Sequence, residues 1–409
     1  MLASWLAAAA VLAAAPPHDP DVETRPVPRR ILPVLVLSQL AGTSVWFAGN
    51  AVLGDLQRDW SLTPGQVGLL FAAVNLGFIA GTLAYAIGLV ADRFSPRLVF
   101  FVSCMAAALG NVLPVVVDGG FVAMVASRLA VGFFLAGVYP VGMKIAGSWY
   151  RQGLGSALGF LVGALVAGTA LPHLVRAVGA AWSWQHVLSA VSAIAALGGL
   201  ALLRWVPDGP HLKRGGRIHP SALLVIWRDP KVRASALGYF GHMWELYAML
   251  VAVPAIIALH LGTGPTPTVS LASFVVIAAG AVACVLGGQA GLRVGGARVA
   301  VALLAASGAC CVLAPVMLHA PGWLFWPWLF LWGATVSSDS PQFSALTATN
   351  SPPEVVGSVL TLVNCIGFVI SAVTIQLSTM LLAAWPAGLV LALLAIGPAL
   401  GVAAMRRLV

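Results

Sequence analysis

The stretch GLVADRFSPR (Gly88–Arg97) separates two long apolar segments at residues 66–88 and 98–117. It holds three charged side chains, whereas the two apolar segments on either side hold none. Each segment has about 20 residues, the length of a helix that crosses a hydrocarbon core ~30 Å thick. The pattern therefore predicts two membrane-spanning helices joined by a short charged loop.

The same alternation continues through the chain of 409 residues, of which 60% are hydrophobic and 8% charged. Soluble proteins carry about 25% charged residues, because their surfaces need polar groups. The composition therefore excludes a water-soluble enzyme. It also excludes a nucleic-acid-binding domain, because the basic residues behind the net charge of +9 are scattered singly rather than clustered on one patch.

Twelve spans follow when charges, prolines and turn residues are taken as the breaks. The apolar runs are rich in Ala, Leu and Gly and lack the alternation of a β-barrel strand, so the predicted fold is an all-α membrane protein. The predicted spans lie at residues 31–53, 66–88, 98–117, 121–143, 154–175, 185–205, 234–259, 269–290, 299–318, 323–346, 357–380 and 386–405.

The Lys and Arg residues orient the spans, since cytoplasmic loops carry an excess of them. If the first span begins in the cytoplasm, all but three of the 21 basic residues fall in cytoplasmic segments. The exceptions are Arg58, Arg176 and Arg128, and the last of these lies within a span. This bias predicts that both ends of the membrane domain face the cytoplasm.

The longest charged stretch, Arg204–Arg233, lies between the sixth and seventh spans and predicts two pseudo-symmetric six-helix bundles. A weak repeat supports the division, because GQAGLRVGGAR (Gly288–Arg298) occupies the place in the second half that Gly88–Arg97 occupies in the first. The predicted regions are an apolar segment and linker at 1–30, an N-terminal half at 31–205, a cytoplasmic central loop at 206–233 and a C-terminal half at 234–409.

The first 17 residues, MLASWLAAAAVLAAAPP, are apolar, but they are too short to span a membrane comfortably and lack a basic start. Three interpretations are open: a signal-like segment, a helix lying on the membrane surface, or a wrong translation start. We favour the last two and exclude residues 1–30 from the predicted fold.

Two six-helix halves, a cytoplasmic central loop and the motif G-x-x-x-D-R-x-x-x-R after the second span together resemble the major facilitator superfamily of secondary transporters. The resemblance covers about residues 31–407. The motif residues are Gly88, Asp92, Arg93 and Arg97. The resemblance implies that these four form a conformational latch at the cytoplasmic surface in the outward-open state, meeting span eleven near Gly357.

Ionisable side chains inside the membrane cost about 2.5–3.5 kcal/mol each on insertion scales, so they are functional candidates. Away from their ends, the predicted spans hold Arg128, His242, Glu245 and Asp339. These residues fall on spans four, seven and ten, which line the central cavity together with span one in the superfamily that this sequence resembles. We therefore predict that all four couple protons and that all except Asp339 also bind substrate.

Glu245 lies in GHMWELYAM (Gly241–Met249), about 16 Å along span seven and therefore near the midplane. His242 and Met249 share its helix face. A carboxyl group at this depth can take up and release a proton near neutral pH, and the histidine can share that proton. The alternative is a structural Glu–His pair, in which the two side chains only supply each other's hydrogen bond where helices cross.

Arg128 and Asp339 have separate expectations. Arg128 keeps its charge, so it is expected to pair with an acid, a backbone carbonyl or an anionic substrate. Asp339 lies in SSDSPQ (Ser337–Gln342), where Pro341 frees a backbone carbonyl in the cytoplasmic third of span ten. This segment indicates a gate or an inner coupling site, with a polar helix end as the alternative.

Span one carries a polar stripe with spacing i, i+4, i+7 and i+11, which places its members on one helix face. The stripe consists of Gln39, Thr43, Trp46 and Asn50. We predict that it contacts the substrate, and hydrogen bonding between helices is the alternative.

The favoured function is a proton-coupled secondary active transporter of a small solute in the bacterial inner membrane, working by alternating access. Arg128 suits an anionic solute, and the sequence leaves import or export open. The expected partners are the solute, protons and the lipid bilayer, and the expected state is a monomer. No nucleophile–base set, phosphate loop or C-x-x-C pair indicates an enzyme, a cofactor or a metal site, and the five cysteines are expected to be buried free thiols.

Three alternatives are open. A drug or metabolite efflux proton antiporter would carry G-x-x-x-G-P-x-x-G-G in span five, and here the glycines occur without the central proline. A copper-like metal importer would use His242, Glu245 and Met249 as ligands. A non-transporting membrane sensor is disfavoured by the loop motif and by Glu245.

Overall fold

The computed structural model describes residues 27–117, 119–150, 153–212, 221–406 and 408. Most of the predicted N-terminal segment and the middle of the central loop therefore lie outside the described residues. Every regular element within the described residues is a helix. This confirms the prediction of an all-α membrane protein.

Eleven helical stretches among the described residues are long and apolar enough to cross a membrane. They correspond to predicted spans one to nine, eleven and twelve. Their bounds are Ile31–Trp60, Pro64–Ile87, Pro96–Val116, Gly120–Trp149, Leu154–Val178, Trp184–Trp205, Pro230–Leu261, Pro267–Val294, Gly296–Met317, Val356–Leu381 and Ala387–Met405.

Local signals set the starts of several spans. Thr63 and Gln66 form a capping box in front of span two, in which each side chain satisfies a free backbone amide. Asp229 accepts hydrogen bonds from the first amides of span seven. A proline in the first turn follows both caps, where its missing N–H would have no helical partner in any case.

The predicted tenth span is present as two helices, Gly322–Ser338 and Ser340–Asn350, joined at Asp339. The first helix has 17 residues and is shorter than each of the eleven spans. Pro341 lies in the first turn of the second helix, where it has no amide N–H to continue the hydrogen bonds of the first. Span ten is thus interrupted at one of the predicted site residues.

Spans one and four are longer than predicted, and both contain an interruption. Span one includes a 3-10 turn at Ser44–Phe47 and continues as a helix through Leu53–Trp60. The charges in that last helix indicated a loop, but Arg58 pairs with Asp55 one turn away. Span four consists of Gly120–Leu135 and Tyr139–Trp149.

Helix packing repeats between the two halves. In the first half, span one contacts spans five and six, span two contacts span four, and span three contacts span six. The second half repeats these pairs six spans later, as seven with eleven and twelve, eight with ten, and nine with twelve. The repeated pairs confirm two pseudo-symmetric helical bundles.

Glycines allow the close approach of spans two and four. A Cβ atom on Gly132 would overlap the carbonyl oxygen of Val74, and one on Gly77 would overlap that of Leu129. These two spans therefore pack backbone against backbone, as small residues permit in membrane helices.

The halves meet where span five packs on span eight and span two packs on span eleven. On the predicted outer side, Asn75 Nδ2 donates to Ser371 Oγ at 2.9 Å, and Gln376 Nε2 donates to Gly65 O at 3.2 Å. Each bond joins one half to the other. The interface is thus closed by direct hydrogen bonds on this side.

Candidate functional site

A cavity of about 70 Å³, the central cavity, lies between the halves. Spans two, four and five line it from the first half, and spans seven, ten and eleven line it from the second. Five aromatic rings face it, from Phe78, Tyr139, Tyr239, Tyr247 and Phe368. Among the described lining residues, the hydroxyl and amide side chains are Thr82, Thr169, Ser337, Ser340, Ser344 and Asn364, and none of the described lining residues is charged. A buried water needs about 10–15 Å³ by this measure, so the cavity has room for about five to seven waters or one small solute.

The central cavity lies in the membrane half that holds the basic loops. Thr82 and Ser344 line it close to the ends of their helices at Ile87 and Asn350. By the predicted topology, these ends face the cytoplasm. Closure on the outer side and a cavity on the inner side correspond to an inward-facing arrangement.

Four aromatic side chains from both halves form the aromatic layer, defined as Trp46, Phe78, Tyr247 and Phe368. The Trp46 ring centroid lies 5.0 Å from that of Phe78 and 5.7 Å from that of Tyr247. The Phe368 centroid lies 4.5 Å from Phe78 and 5.5 Å from Tyr247. These spacings are typical of interacting rings. The aromatic layer closes the central cavity towards the predicted outer side.

A second cavity, the Arg128 chamber, lies beyond the aromatic layer and measures about 10 Å³. Trp46 and Tyr247 line it as part of the layer, and Asn50, Asn75 and Arg128 add polar groups. It has room for about one water. The chamber is therefore contracted, whereas the central cavity is open enough for a solute.

Arg128 is 1% exposed and is held by neutral oxygen atoms. Its guanidinium donates to Asn111 Oδ1, to Ser127 Oγ at 3.0 Å and to Val45 O at 3.3 Å. Among the described residues no acid forms an ion pair with it, and its Nε has no hydrogen-bond partner. Of the three expected partners, the structure shows a backbone carbonyl, and the positive charge remains unbalanced.

The sequence did not single out Asn111, which orients Arg128. Asn111 also donates to Leu188 O at 3.0 Å and to Ser192 Oγ at 2.8 Å, and so links spans three and six. An isolated amide in an apolar run was the available signal. Many neutral polar residues share that signal, so it could not identify the partner of Arg128.

The polar stripe of span one divides at the 3-10 turn. Gln39 and Thr43 face the first half, where a Cβ on Gly142 would overlap Gln39 Oε1 and one on Gly168 would overlap Thr43 Oγ1. Trp46 belongs to the aromatic layer.

Asn50, the fourth member of the stripe, donates from Nδ2 to Leu250 O of the second half at 3.4 Å. The structure therefore places Trp46 and Asn50 at the interface between the halves. Gln39 and Thr43 lie in the packing of the first half, and neither is among the lining residues of the two cavities.

Glu245 is buried inside the second half, facing spans nine and ten. Its carboxylate accepts from Trp332 Nε1 at 2.5 Å, from Ser307 Oγ at 2.9 Å and from Cys311 Sγ at 3.2 Å. It does not line the central cavity. The three donors come from sequence positions at least 62 residues away, so the chain order did not reveal them.

His242 pairs with Asp339 rather than with Glu245. Its Nδ1 lies 2.8 Å from Asp339 Oδ1, and both side chains are at most 1% exposed. The interruption of span ten places Asp339 between Ser337 and Ser340, which both line the central cavity. Tyr239, another lining residue, has its ring centroid 5.9 Å from that of His242. The pair thus lies one side chain behind the cavity wall.

The charged loop after span two is bound to the first half and to the start of the central loop. Asp92 forms an ion pair with Lys144, whose Nζ also donates to Ala91 O at 2.7 Å. Ser95 donates to the Asp208 carboxylate, and the Arg97 amide donates to the same group at 3.3 Å. The latch itself stays a prediction.

Gly357 is the position at the start of span eleven where the latch was expected to make contact. A Cβ on Gly357 would meet nothing within 4 Å among the described residues.

Metal binding finds no support in the described part of the chain, where no group of three or more His, Cys, Asp and Glu side chains is placed to hold an ion. Met249 is buried in the core, and the His242 ring faces Asp339. The five cysteines are free and buried. The geometry therefore gives no argument for the metal-importer alternative.

Comparisons with known proteins agree with this architecture. Residues 34–375 match the model of the Major Facilitator Superfamily. A niacin transporter of Acinetobacter baylyi is 27% identical, over 42% of this chain and 39% of its own. A nitrite extrusion protein of Bacillus subtilis is 24% identical, over 56% of this chain and 57% of its own. These matches span about half the length of the curated relatives.

Solved structures agree on the fold. The proton:xylose symporter XylE of E. coli, bound to 6-bromo-6-deoxy-D-glucose, superposes with a TM-score of 0.71 at 14% identity. The superposition covers 92% of this chain and 96% of that one. The relatives are transporters rather than enzymes, as the sequence predicted. With its apolar helices and its match over residues 34–375, the chain is a multi-pass membrane protein that belongs to the Major Facilitator Superfamily.

Proposed function

We propose that the protein is a secondary active transporter that moves a small anionic solute across a bacterial inner membrane, coupled to protons, by alternating access. One observation carries the proposal: Arg128 is buried, lines a chamber where the halves meet, and has no acidic partner among the described residues. A solute that supplies the missing negative charge fits this position best.

The energetic argument concerns the cost of the guanidinium. A charged side chain in a membrane core is unfavourable unless it is paired, and an arginine does not lose its proton to avoid that cost. Neutral oxygen atoms reduce the cost but leave the charge in place. An anion in the Arg128 chamber neutralises it through charge-assisted hydrogen bonds. The two relatives are a niacin transporter and a nitrite extrusion protein. Niacin and nitrite are both anions at neutral pH, which supports the same class of solute.

Alternating access follows from the two cavities on either side of the aromatic layer. The central cavity is open to a small solute, whereas the Arg128 chamber has room for about one water. Two rings of the layer come from each half, so a rocking motion of the halves separates them. In the opposite state we expect the chamber to widen, the central cavity to narrow and the solute to contact Arg128.

Proton coupling is assigned to the acids of the second half. Asp339 and His242 lie directly behind the wall of the central cavity, so a change in their protonation acts next to the solute. Glu245 is the second acid, and it lies deeper among spans nine and ten. This arrangement supports coupling without a direct contact between solute and proton-binding groups.

The experiment that tests the anion assignment uses proteoliposomes and a panel of nitrate, nitrite and nicotinate under an imposed pH gradient. Arg128→Gln is expected to lower uptake of the transported anion at least tenfold, because the charge and the fork of donors are both lost. Arg58→Gln is the matched control, since the Arg58 side chain is 70% exposed at the end of span one, and its uptake is expected to stay within twofold.

Wild-type uptake by a folded Arg128→Gln variant contradicts the role of Arg128. Transport of neutral solutes alone contradicts the anionic class. A stable, monodisperse protein after detergent extraction is the check that the variant is folded.

A further inference from the structure

The wall of the central cavity narrows the class of solute further than its charge does. Resting on the function proposed above, we propose that the solute is a planar aromatic carboxylate, with its ring stacked among the aromatic side chains of the central cavity and its carboxylate held by hydroxyl groups there.

The first argument is the number and origin of the rings. Phe78 and Tyr139 come from the first half, whereas Tyr239, Tyr247 and Phe368 come from the second. A cavity with rings on opposite walls presents flat, polarisable faces to whatever lies between them. Aromatic rings pair best with other rings in offset or edge-to-face arrangements about 4.5–7 Å apart. A flat ring therefore gains contacts that a saturated solute of equal size does not.

The second argument is that the described residues of the cavity wall carry no charge. Those lining residues include no Lys, Arg, Asp, Glu or His. A small inorganic anion loses its hydration shell on entering such a cavity and meets no charged donor that replaces it. An organic acid has the same cost for its carboxylate, but contact between its ring and the apolar wall offsets part of that cost.

The third argument comes from two hydroxyl groups without partners. Thr82 and Ser337 belong to the cavity wall, and their hydroxyl oxygens are buried and have no hydrogen-bond partner among the described residues. They come from spans two and ten, one from each half. A buried hydroxyl without a partner is unfavourable, so a side-chain rotation that turns either one towards a solute is favoured. A carboxylate accepts several hydrogen bonds through its two oxygen atoms and suits this pair.

The size of the cavity agrees with a single ring. Room for about five to seven waters exceeds the need of an ion such as nitrate and is nearer to that of an acid with a single ring. The cavity measures about 70 Å³ and borders the aromatic layer, so the ring of the solute lies against Phe78 and Phe368. When the halves rock, the same layer parts and the carboxylate is transferred towards Arg128.

Isothermal titration calorimetry of the purified full chain in detergent tests the proposal by measuring the affinity for four probes. Benzoate is planar and anionic, cyclohexanecarboxylate has the same charge without the flat ring, benzamide has the ring without the charge, and nitrate has the charge alone. Benzoate is expected to bind at least tenfold more tightly than each of the other three. This comparison uses the unaltered protein, so it does not depend on whether a variant folds.

Variants then locate the ring. Phe368→Leu is expected to reduce the preference for benzoate over cyclohexanecarboxylate to below threefold, whereas Phe368→Tyr keeps it. Phe160→Leu is the control, because the Phe160 side chain of span five is 37% exposed. An unchanged preference in Phe368→Leu overturns the placement of the ring in the central cavity.

The outcomes separate this inference from the proposed function. Equal affinity for benzoate and cyclohexanecarboxylate overturns the aromatic class and leaves the anion transporter standing. Tight binding of nitrate with weak binding of benzoate and cyclohexanecarboxylate also overturns the aromatic class and leaves the anion transporter standing. Equal affinity for benzoate and benzamide supports the aromatic class and overturns the anionic one. Absence of binding by all four probes overturns both.

Discussion

The buried ionisable side chains differ in how their neighbours hold them. Glu245 accepts three hydrogen bonds, whereas Arg128 donates only to neutral oxygen atoms. Asp339 faces His242, and neither carboxylate oxygen of Asp339 has a hydrogen-bond partner of good geometry among the described residues. Glu245 thus has the most complete set of hydrogen bonds of the three, whereas Arg128 and Asp339 each keep polar atoms without a hydrogen-bond partner.

Replacement of Glu245 tests whether it carries the proton. Glutamine keeps the shape of the glutamate side chain, and its amide oxygen can still accept a hydrogen bond from Trp332. It has no carboxylate that could take up a proton. Glu245→Gln is expected to lose at least tenfold of the accumulation driven by a pH gradient, while solute exchange without a gradient stays within threefold. Glu354→Gln, at an exposed position before span eleven, is the control. Unchanged pH dependence in Glu245→Gln shows that the proton resides elsewhere.

The Asp339–His242 pair is expected to act as one unit. Asp339→Asn and His242→Gln should each reduce gradient-driven accumulation about tenfold, because each leaves the other member without its partner. The double variant should be no worse than either single one, since groups that share one interaction are not additive. Initial rates in proteoliposomes at several pH values provide the measurement. Fully additive losses argue that the two side chains work separately.

Single residues could be predicted from the sequence where charge is rare. Arg128, Glu245 and Asp339 stood out because few charges occur inside the predicted spans. Their partners could not be identified in that way. Trp332 lies 87 positions from Glu245, and neutral polar side chains such as Ser307 occur in most of the predicted spans. Pairing depends on which helix faces meet, and the spacing along one chain segment does not contain that information.

At the scale of elements, interruptions occur in helices that carry candidate site residues. Span one has its 3-10 turn next to Trp46, and span ten breaks at Asp339. The apolar runs predicted the existence of these spans, because bilayer thickness sets their length. The sequence also indicated the break near Pro341. It did not predict the turn in span one, where no proline or charge interrupts the apolar run.

Close packing of spans two and four gives a prediction for stability. Gly132→Val places new atoms against the carbonyl oxygen of Val74, and overpacking of this kind costs about 1–3 kcal/mol. A lower midpoint of thermal unfolding in detergent is expected. Gly147→Ala is the control, because a Cβ there meets nothing within 4 Å, and its midpoint should be equal or higher. An unshifted midpoint for Gly132→Val means that the two spans are not held this closely.

At the scale of the whole molecule, the sequence predicted the two halves from the charged stretch between them and from the basic loops. It did not predict the aromatic layer. Trp46, Phe78, Tyr247 and Phe368 come from four different spans, and each is an ordinary aromatic residue within an apolar run. Only the packing of both halves brings their rings together and divides the interface into two cavities.

Fixing the outer side of the interface should stop transport. Cysteines at Asn75 and Ser371, joined by a short bifunctional thiol reagent, hold together spans whose side chains are hydrogen bonded at 2.9 Å. Cross-linked protein is expected to lose at least nine-tenths of its uptake and to regain it after cleavage of the linker. The single Asn75→Cys variant with the same reagent is the control, since the five native cysteines are buried. Full uptake by cross-linked protein contradicts a rocking motion at this contact.

The buried positive and negative charges lie in opposite halves, and this placement has a consequence for how such a protein evolves. Arg128 lies in the first half, whereas Glu245, Asp339 and His242 lie in the second. In the proposed function, the group that selects the charge of the cargo and the groups that take up the driving ion therefore occupy separate bundles. Substitutions near Arg128 are then expected to alter the charge of the cargo and to leave the driving ion unchanged, so one gradient can serve a series of related carriers with different cargoes.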